Sequence, residues 1–261
     1  MSTIAEVRMW GSLIGAIALP DDGQVATFQY APDFIQSNIE VSPLMMPLSS
    51  RQYSFPALSR ATYHGLPGLV ADSLPDKFGN AVIDAWLRGQ GRRLNPVERL
   101  CYTGTRGMGA LEFFPATGPR MKKSSKIYFD KLVDLASEIL SQRMELKTSL
   151  DGKNGEDAVR DILRVGTSAG GARAKAIIAW NPETNDVRSG QIEAGSGYEY
   201  WLLKFDGVTG NRDKELDDPQ GFGAIEFAYW QMAKEAGITM NECRLFEENG
   251  RRHFMTKRFD R

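Results

Sequence analysis

The turns constrain this chain most. Short apolar or alternating runs are cut by strong turn signals near both ends, at Gly11-Ser12, Pro20-Asp21-Asp22-Gly23, Asn181 to Asp186 and Glu248-Asn249-Gly250. Runs that short, joined by turns that tight, pair as hairpins, so each end of the chain is expected to carry an antiparallel sheet. At the front, residues 6–10, 13–19 and 24–30 read as strands and residues 110–114 as one more. Between them Pro43, Pro47 and Pro56 break the chain too often for long regular elements.

Helices fill the middle. Asp76 is placed to cap a helix running to Leu87, with Phe78, Val82, Ile83 and Trp86 or Leu87 on one face and Gly89 and Gly91 beyond its end. Asn95-Pro96-Val97-Glu98 opens a second helix: an Asn cap, Pro at the first helical position, and a Glu reaching back to the cap amide. Sheets at the ends and helices between them make an α+β chain.

Composition shifts most clearly from Pro115 to Ser125, where Gly118-Pro119 meets Arg120, Lys122 and Lys123. The boundary drawn there gives an N-terminal subdomain (1–118), a helical connector (119–165) and a third region (166–261). The connector reads as amphipathic helices over 128–140 and 157–163, on either side of a turn at 151–155. From residue 166 the expected order is strand (175–180), hairpin, strand (187–192), strand (198–205), helix (221–236) and a final hairpin (243–246 with 253–258).

With 32 Lys and Arg against 33 Asp and Glu, the formal net charge is -1, which provides no global attraction to nucleic acid or anionic membrane. Direct DNA contact and membrane association are therefore not expected. No run of about eighteen apolar residues occurs and the N-terminus lacks a basic stretch followed by an apolar one, so a cytoplasmic location is expected. Cys101 and Cys243 stand far apart without metal-ligand spacing, and read as two buried reduced thiols with no metal site.

The chemistry concentrates after residue 166. Gly166-Thr167-Ser168-Ala169-Gly170-Gly171-Ala172-Arg173-Ala174-Lys175 is glycine-rich, and its amides could approach a phosphate closely, with hydroxyls of Thr167 or Ser168 adding donors. It matches neither the Walker pattern nor a dinucleotide fingerprint, and taken alone it also reads as a plain flexible loop. Downstream, Lys204 interrupts the apolar strand Tyr200-Trp201-Leu202-Leu203-Lys204-Phe205, and Glu226 lies on the apolar side of the next helix. A glycine loop, a strand lysine and a helix glutamate follow one another in this order in a protein-kinase N-lobe. Separately, Lys204 reads equally as an edge-strand lysine and Glu226 as a solvated helix residue.

Four segments carry a family resemblance: Leu66 to Gly79 (LPGLVADSLPDKFG), Leu100 to Leu111 (LCYTGTRGMGAL), Ser168 to Lys175, and Lys257-Arg258-Phe259-Asp260-Arg261. In this order they are similar to HipA-family proteins, bacterial Ser/Thr kinases that form the toxin half of a toxin–antitoxin pair. The resemblance implies a HipA-type N-terminal subdomain followed by a kinase-like N-lobe. It also implies ATP and Mg2+ as cofactors, a HipB-like DNA-binding antitoxin as partner, and a protein substrate such as a translation factor. By motif, Ser168 matches the serine whose phosphorylation switches the family's kinase off, a change that places about two negative charges beside the nucleotide phosphates. Ser168, Ala169, Gly170, Gly171, Lys175, Lys204, Lys257 and Phe259 are then the nucleotide-binding residues, with Glu226 the ion-pair partner of Lys204.

Phosphoryl transfer also needs an Asp to orient the hydroxyl, an Asn five residues on and a second metal-binding Asp. In the family these lie in the C-lobe, so the catalytic residues are expected beyond Arg261, the C-lobe absent, and the 261 residues truncated and inactive, with weak or no nucleotide binding. Asp206 and Asn211 have the spacing but lack the preceding His-Arg, and read as a turn after a strand; His64 and His253 read as surface or packing residues. The alternative is a non-catalytic HipA-like module that docks an antitoxin or a separate kinase lobe.

Overall fold

Two antiparallel sheets form, one from each end of the chain. The computed structural model describes residues 2–21, 23–88, 91, 93–119, 132–134, 136–137, 174–191, 193–208 and 220–259. Its contacts divide the chain into two compact units, Met1–Pro75 with Arg93–Arg120, and Asp76–Arg92 with Met121–Arg261. The composition shift had put residues 76–92 with the front of the chain; the contacts group them with the second unit.

In the first unit, β1 (Thr3–Met9), β2 (Ser12–Leu19), β3 (Thr27–Tyr30) and β4 (Leu111–Phe114) form a sheet in the order β3-β2-β1-β4. Trp10 and Gly11, both at positive φ, turn β1 into β2, one residue earlier than the turn signal suggested. Single helical turns α1 (Pro32–Ile35), α2 (Arg60–Tyr63) and α3 (Gly68–Ala71) flank the proline-punctuated stretch. The core gathers Val7, Ile14, Ile17, Phe28, Leu66, Val70, Leu100 and Phe113, all essentially inaccessible. Loop 36–59 is tied to it through polar groups. Tyr30 donates its hydroxyl hydrogen to the Met46 carbonyl at 2.8 Å, and Tyr53 does the same to Pro47.

The second unit opens with α4 (Lys77–Arg88). Asp76 caps it, accepting the Gly79 amide at 2.7 Å. The capping box at α5 (Pro96–Thr103), in the first unit, also forms: Asn95 Oδ1 accepts from the Glu98 amide at 2.9 Å, and Glu98 Oε2 accepts from the Asn95 amide at 2.7 Å. Asn95 Nδ2 further donates to Thr3 Oγ1 at 2.9 Å, stitching the helix start to β1. Of the two connector helices, residues 132–134 and 136–137 are helical, and 157–163 lie outside the described residues.

The second sheet runs β6-β5-β7-β9-β8, all antiparallel, from β5 (Lys175–Asn181), β6 (Asp186–Ser189), β7 (Glu199–Lys204), β8 (Cys243–Glu248) and β9 (Arg251–Lys257). Asn181 Oδ1 accepts from the Glu183 and Thr184 amides to close the first hairpin, and Asn249-Gly250, both at positive φ, close the last. Helix α6 (Phe222–Glu235) packs on β8 and β9. A Cβ at Gly223 would lie 2.0 Å from the Arg252 carbonyl oxygen, so only glycine allows this approach.

Both glycine and cap give testable outcomes. Gly223→Ala must push α6 away from β9 and is expected to cost about 1–3 kcal/mol, read as a lower midpoint in chemical denaturation. Asn95→Ala removes the cap and the Thr3 contact together and is expected to cost ~1 kcal/mol in the same measurement, with Asn95→Asp recovering most of it.

Candidate functional site

Strand order decides what Lys204 does. β7 lies inside the sheet, between β5 and β9, so the edge-strand reading of Lys204 is excluded. Alternation along β7 puts Trp201 and Leu203 on one face, both buried, and Lys204 on the other. There its Nζ lies 2.5 Å from Glu226 Oε2 of α6 and 5.6 Å from the centre of the Phe254 ring. The structure therefore brings together the strand lysine and the helix glutamate, which are 22 residues apart in sequence.

This pair is only partly sheltered, with side-chain exposures of 31% and 24%. A pair that open to water adds roughly 0–1 kcal/mol to stability. Its consequence is orientation: Glu226 holds a cation at one place on the sheet while leaving it reachable by a ligand.

A second lysine stands beside the first. The Cα atoms of Lys175 and Lys204 are direct cross-strand partners, which puts both side chains on one face. Like charges in register repel, and each has a carboxylate. Lys175 Nζ lies 3.9 Å from Asp76 Oδ2, with both side chains nearly inaccessible. Burial raises the Asp76 pKa, opposed by the Gly79 amide and by Lys175. Sequence reasoning had found Asp76 only as a helix cap, because nothing in its own segment indicates the lysine it meets.

The other candidates fall elsewhere. Lys257 pairs with Glu199 at 2.6 Å and lies 5.8 Å from the Trp201 ring centre, on the face opposite Lys204, so it does not join the two lysines. Phe259 lies past β9 with 90% of its surface exposed. Ser168, Ala169, Gly170 and Gly171 lie outside the described residues, as does Asn211.

Asp206 follows β7 in a bend and is buried. Its carboxylate accepts from the Gly221 amide at 2.8 Å and the Arg252 amide at 3.3 Å, tying the chain entering α6 to β9. Its own amide donates to His253 Nδ1 at 2.9 Å, which makes His253 a packing residue with a fixed partner; His64 is exposed. Cys101 and Cys243 are both buried and unbridged, and burial beside Glu98 pushes the Cys101 thiol up to about 11. Among the described residues no group of three or more His, Cys, Asp or Glu could hold a metal, and no helix is long and apolar enough to cross a membrane. On the outer side of α6, Ile225, Tyr229 and Met232 form an exposed apolar stripe.

The comparisons with known proteins converge. The HipA N-terminal domain family matches residues 5–114, and the HipA-like C-terminal domain family matches residues 167–261. No curated protein sequence matches. Among solved structures, a chain of the Shewanella oneidensis MR-1 toxin–antitoxin complex of HipA, HipB and operator DNA shares the fold, with a TM-score of 0.54 at 18% identity. The match covers 98% of this chain and 50% of that one, so the chain spans about half the length of this relative. With two domains of one family matched in their expected order and the fold shared along almost its whole length, this chain belongs to the HipA family.

Proposed function

We infer that residues 166–261 form the nucleotide-cradling part of a HipA-type serine/threonine kinase of a toxin–antitoxin system. The observation that carries this reading is the 2.5 Å contact between Lys204 and Glu226, with Lys175 in register beside Lys204. A strand lysine fixed by a helix carboxylate is how protein kinases direct a cation at the α- and β-phosphates of ATP. The residues present fit phosphate: two ammonium groups share one face, one of them partly open to solvent. When bound, ATP supplies the phosphoryl group for a protein hydroxyl. This chain's residues hold and orient the phosphates, and Ser168, in the glycine-rich segment that precedes β5 in sequence, is the regulatory phosphorylation site.

The reading extends to partners by analogy. The S. oneidensis relative forms a complex with HipB and operator DNA. We infer a HipB-like antitoxin for this chain too, with a protein of the translation machinery as the phosphorylation target in the full kinase. A docking module without catalysis is the second reading, favoured by the exposed stripe of Ile225, Tyr229 and Met232 on α6.

The 261 residues contain no Asp-x-x-x-x-Asn preceded by His-Arg, so this segment is expected to bind nucleotide weakly and to transfer no phosphate. Titration with a fluorescent ATP analogue should show binding that Lys204→Ala lowers by about tenfold or more and Glu226→Gln lowers less, since the lysine remains but loses its guide. Binding unchanged in Lys204→Ala would rule out the nucleotide reading. Incubation with radiolabelled ATP should leave the protein unlabelled, as in its Ser168→Ala and Lys204→Ala variants. Label on the wild type that disappears in Lys204→Ala would overturn the claim of inactivity.

A further inference from the structure

Asp76 has a charge that its role as a cap does not require. Asn and Ser cap helices about as well as Asp, because capping asks only for an acceptor oxygen aimed at the first amides. Position 76 nevertheless holds a carboxylate with 4% of its side chain exposed, a setting that disfavours charge and raises its pKa. The two oxygens divide the work. Oδ1 takes the Gly79 amide at 2.7 Å, and Oδ2 faces Lys175 Nζ at 3.9 Å.

Lys175 in turn is the register partner of Lys204, whose charge is already matched by Glu226. Its neighbour and its burial both act against the charge at Lys175, and the Asp76 carboxylate opposes them. A triphosphate spreads its charge over several phosphoryl groups, and a single ammonium covers only part of it. Two lysines held side by side suit it better.

We propose that Asp76 is a positioning residue: it holds Lys175 beside Lys204, so that two lysines rather than one meet a bound polyphosphate. The proposal rests on the nucleotide reading given above and adds to it a residue from the cap of α4. Lys204 is then the cation guided from α6, and Lys175 the cation guided from α4. The start of α4 and the phosphate site become one mechanical unit.

A double-mutant cycle on the 261-residue chain tests this, with mant-ATP as the probe. Asp76→Asn keeps the cap and removes the charge; it is expected to weaken mant-ATP binding by about tenfold, as is Lys175→Met, and the double variant should bind no more weakly than Lys175→Met alone. Asp76→Asn binding as the wild type does, or a double variant showing the product of the two losses, would overturn the proposal and leave Asp76 as a cap only. A wild-type chain that fails to bind mant-ATP would overturn the nucleotide reading along with it, so the two failures are distinguishable.

Thermal melting provides the second readout. If Asp76→Asn leaves the buried Lys175 charge without that carboxylate and unfolds the chain, the double variant, which removes both charges, should melt at a higher temperature than Asp76→Asn. Equal loss in both would count against the coupling.

Discussion

Helix α6 approaches β9 as closely as backbone allows, at Gly223, and the candidate site depends on that closeness. The Arg252 carbonyl occupies the place a side chain would take, so the helix settles against the sheet at a fixed height. One turn later Glu226 faces β7, and Lys204 is within reach. Asp206 holds the same junction from the other side, bonding the amides of Gly221 and Arg252. A partly exposed ion pair has little energy of its own with which to position a helix. The order of cause therefore runs from backbone contact to ion pair: the glycine and the buried aspartate place the helix, and the pair reports where it was placed.

The two lysines illustrate a different kind of economy. In-register neighbours of like charge are unfavourable on a sheet, and a protein concerned only with stability would place a threonine or valine at one of them. Here both are kept, each with a carboxylate from a different helix. The two pairs differ in setting. Lys204 and Glu226 are partly open to solvent, whereas Lys175 and Asp76 are nearly inaccessible, where ion pairs seldom repay their desolvation by stability alone. An arrangement that retains unfavourable neighbours and neutralises them one by one is understandable where the pair of cations has work to do.

The first unit shows how polar groups organise an irregular stretch. Residues 31–59 contain too many prolines for long elements, yet the aromatic hydroxyls of Tyr30 and Tyr53 turn inward to take the carbonyls of Met46 and Pro47. Each satisfies a backbone oxygen of the loop, the Met46 one in a buried setting. The loop thereby joins the core formed by β1, β2 and β3 without forming a regular element itself.

Local chemistry was legible in the sequence wherever a short segment settles its own structure. The Asn-Gly hairpin, the capping box at Asn95 and Glu98 and the Asp76 cap all appear as residue patterns, because each depends on neighbours within a few positions. The glycine, lysine and glutamate order was legible too, as was the family likeness. What the sequence alone left open was pairing across distance. Whether Lys204 sat on an edge or inside the sheet depended on β9, more than 40 residues later, taking its place on the far side of β7. Lys257, grouped with the site by motif, faces the other way because side chains alternate and its register partner is Trp201. The meeting of Asp76 with Lys175 joins two distant segments, each self-consistent without the other, and only the tertiary fold could bring a helix cap and a sheet lysine to one point.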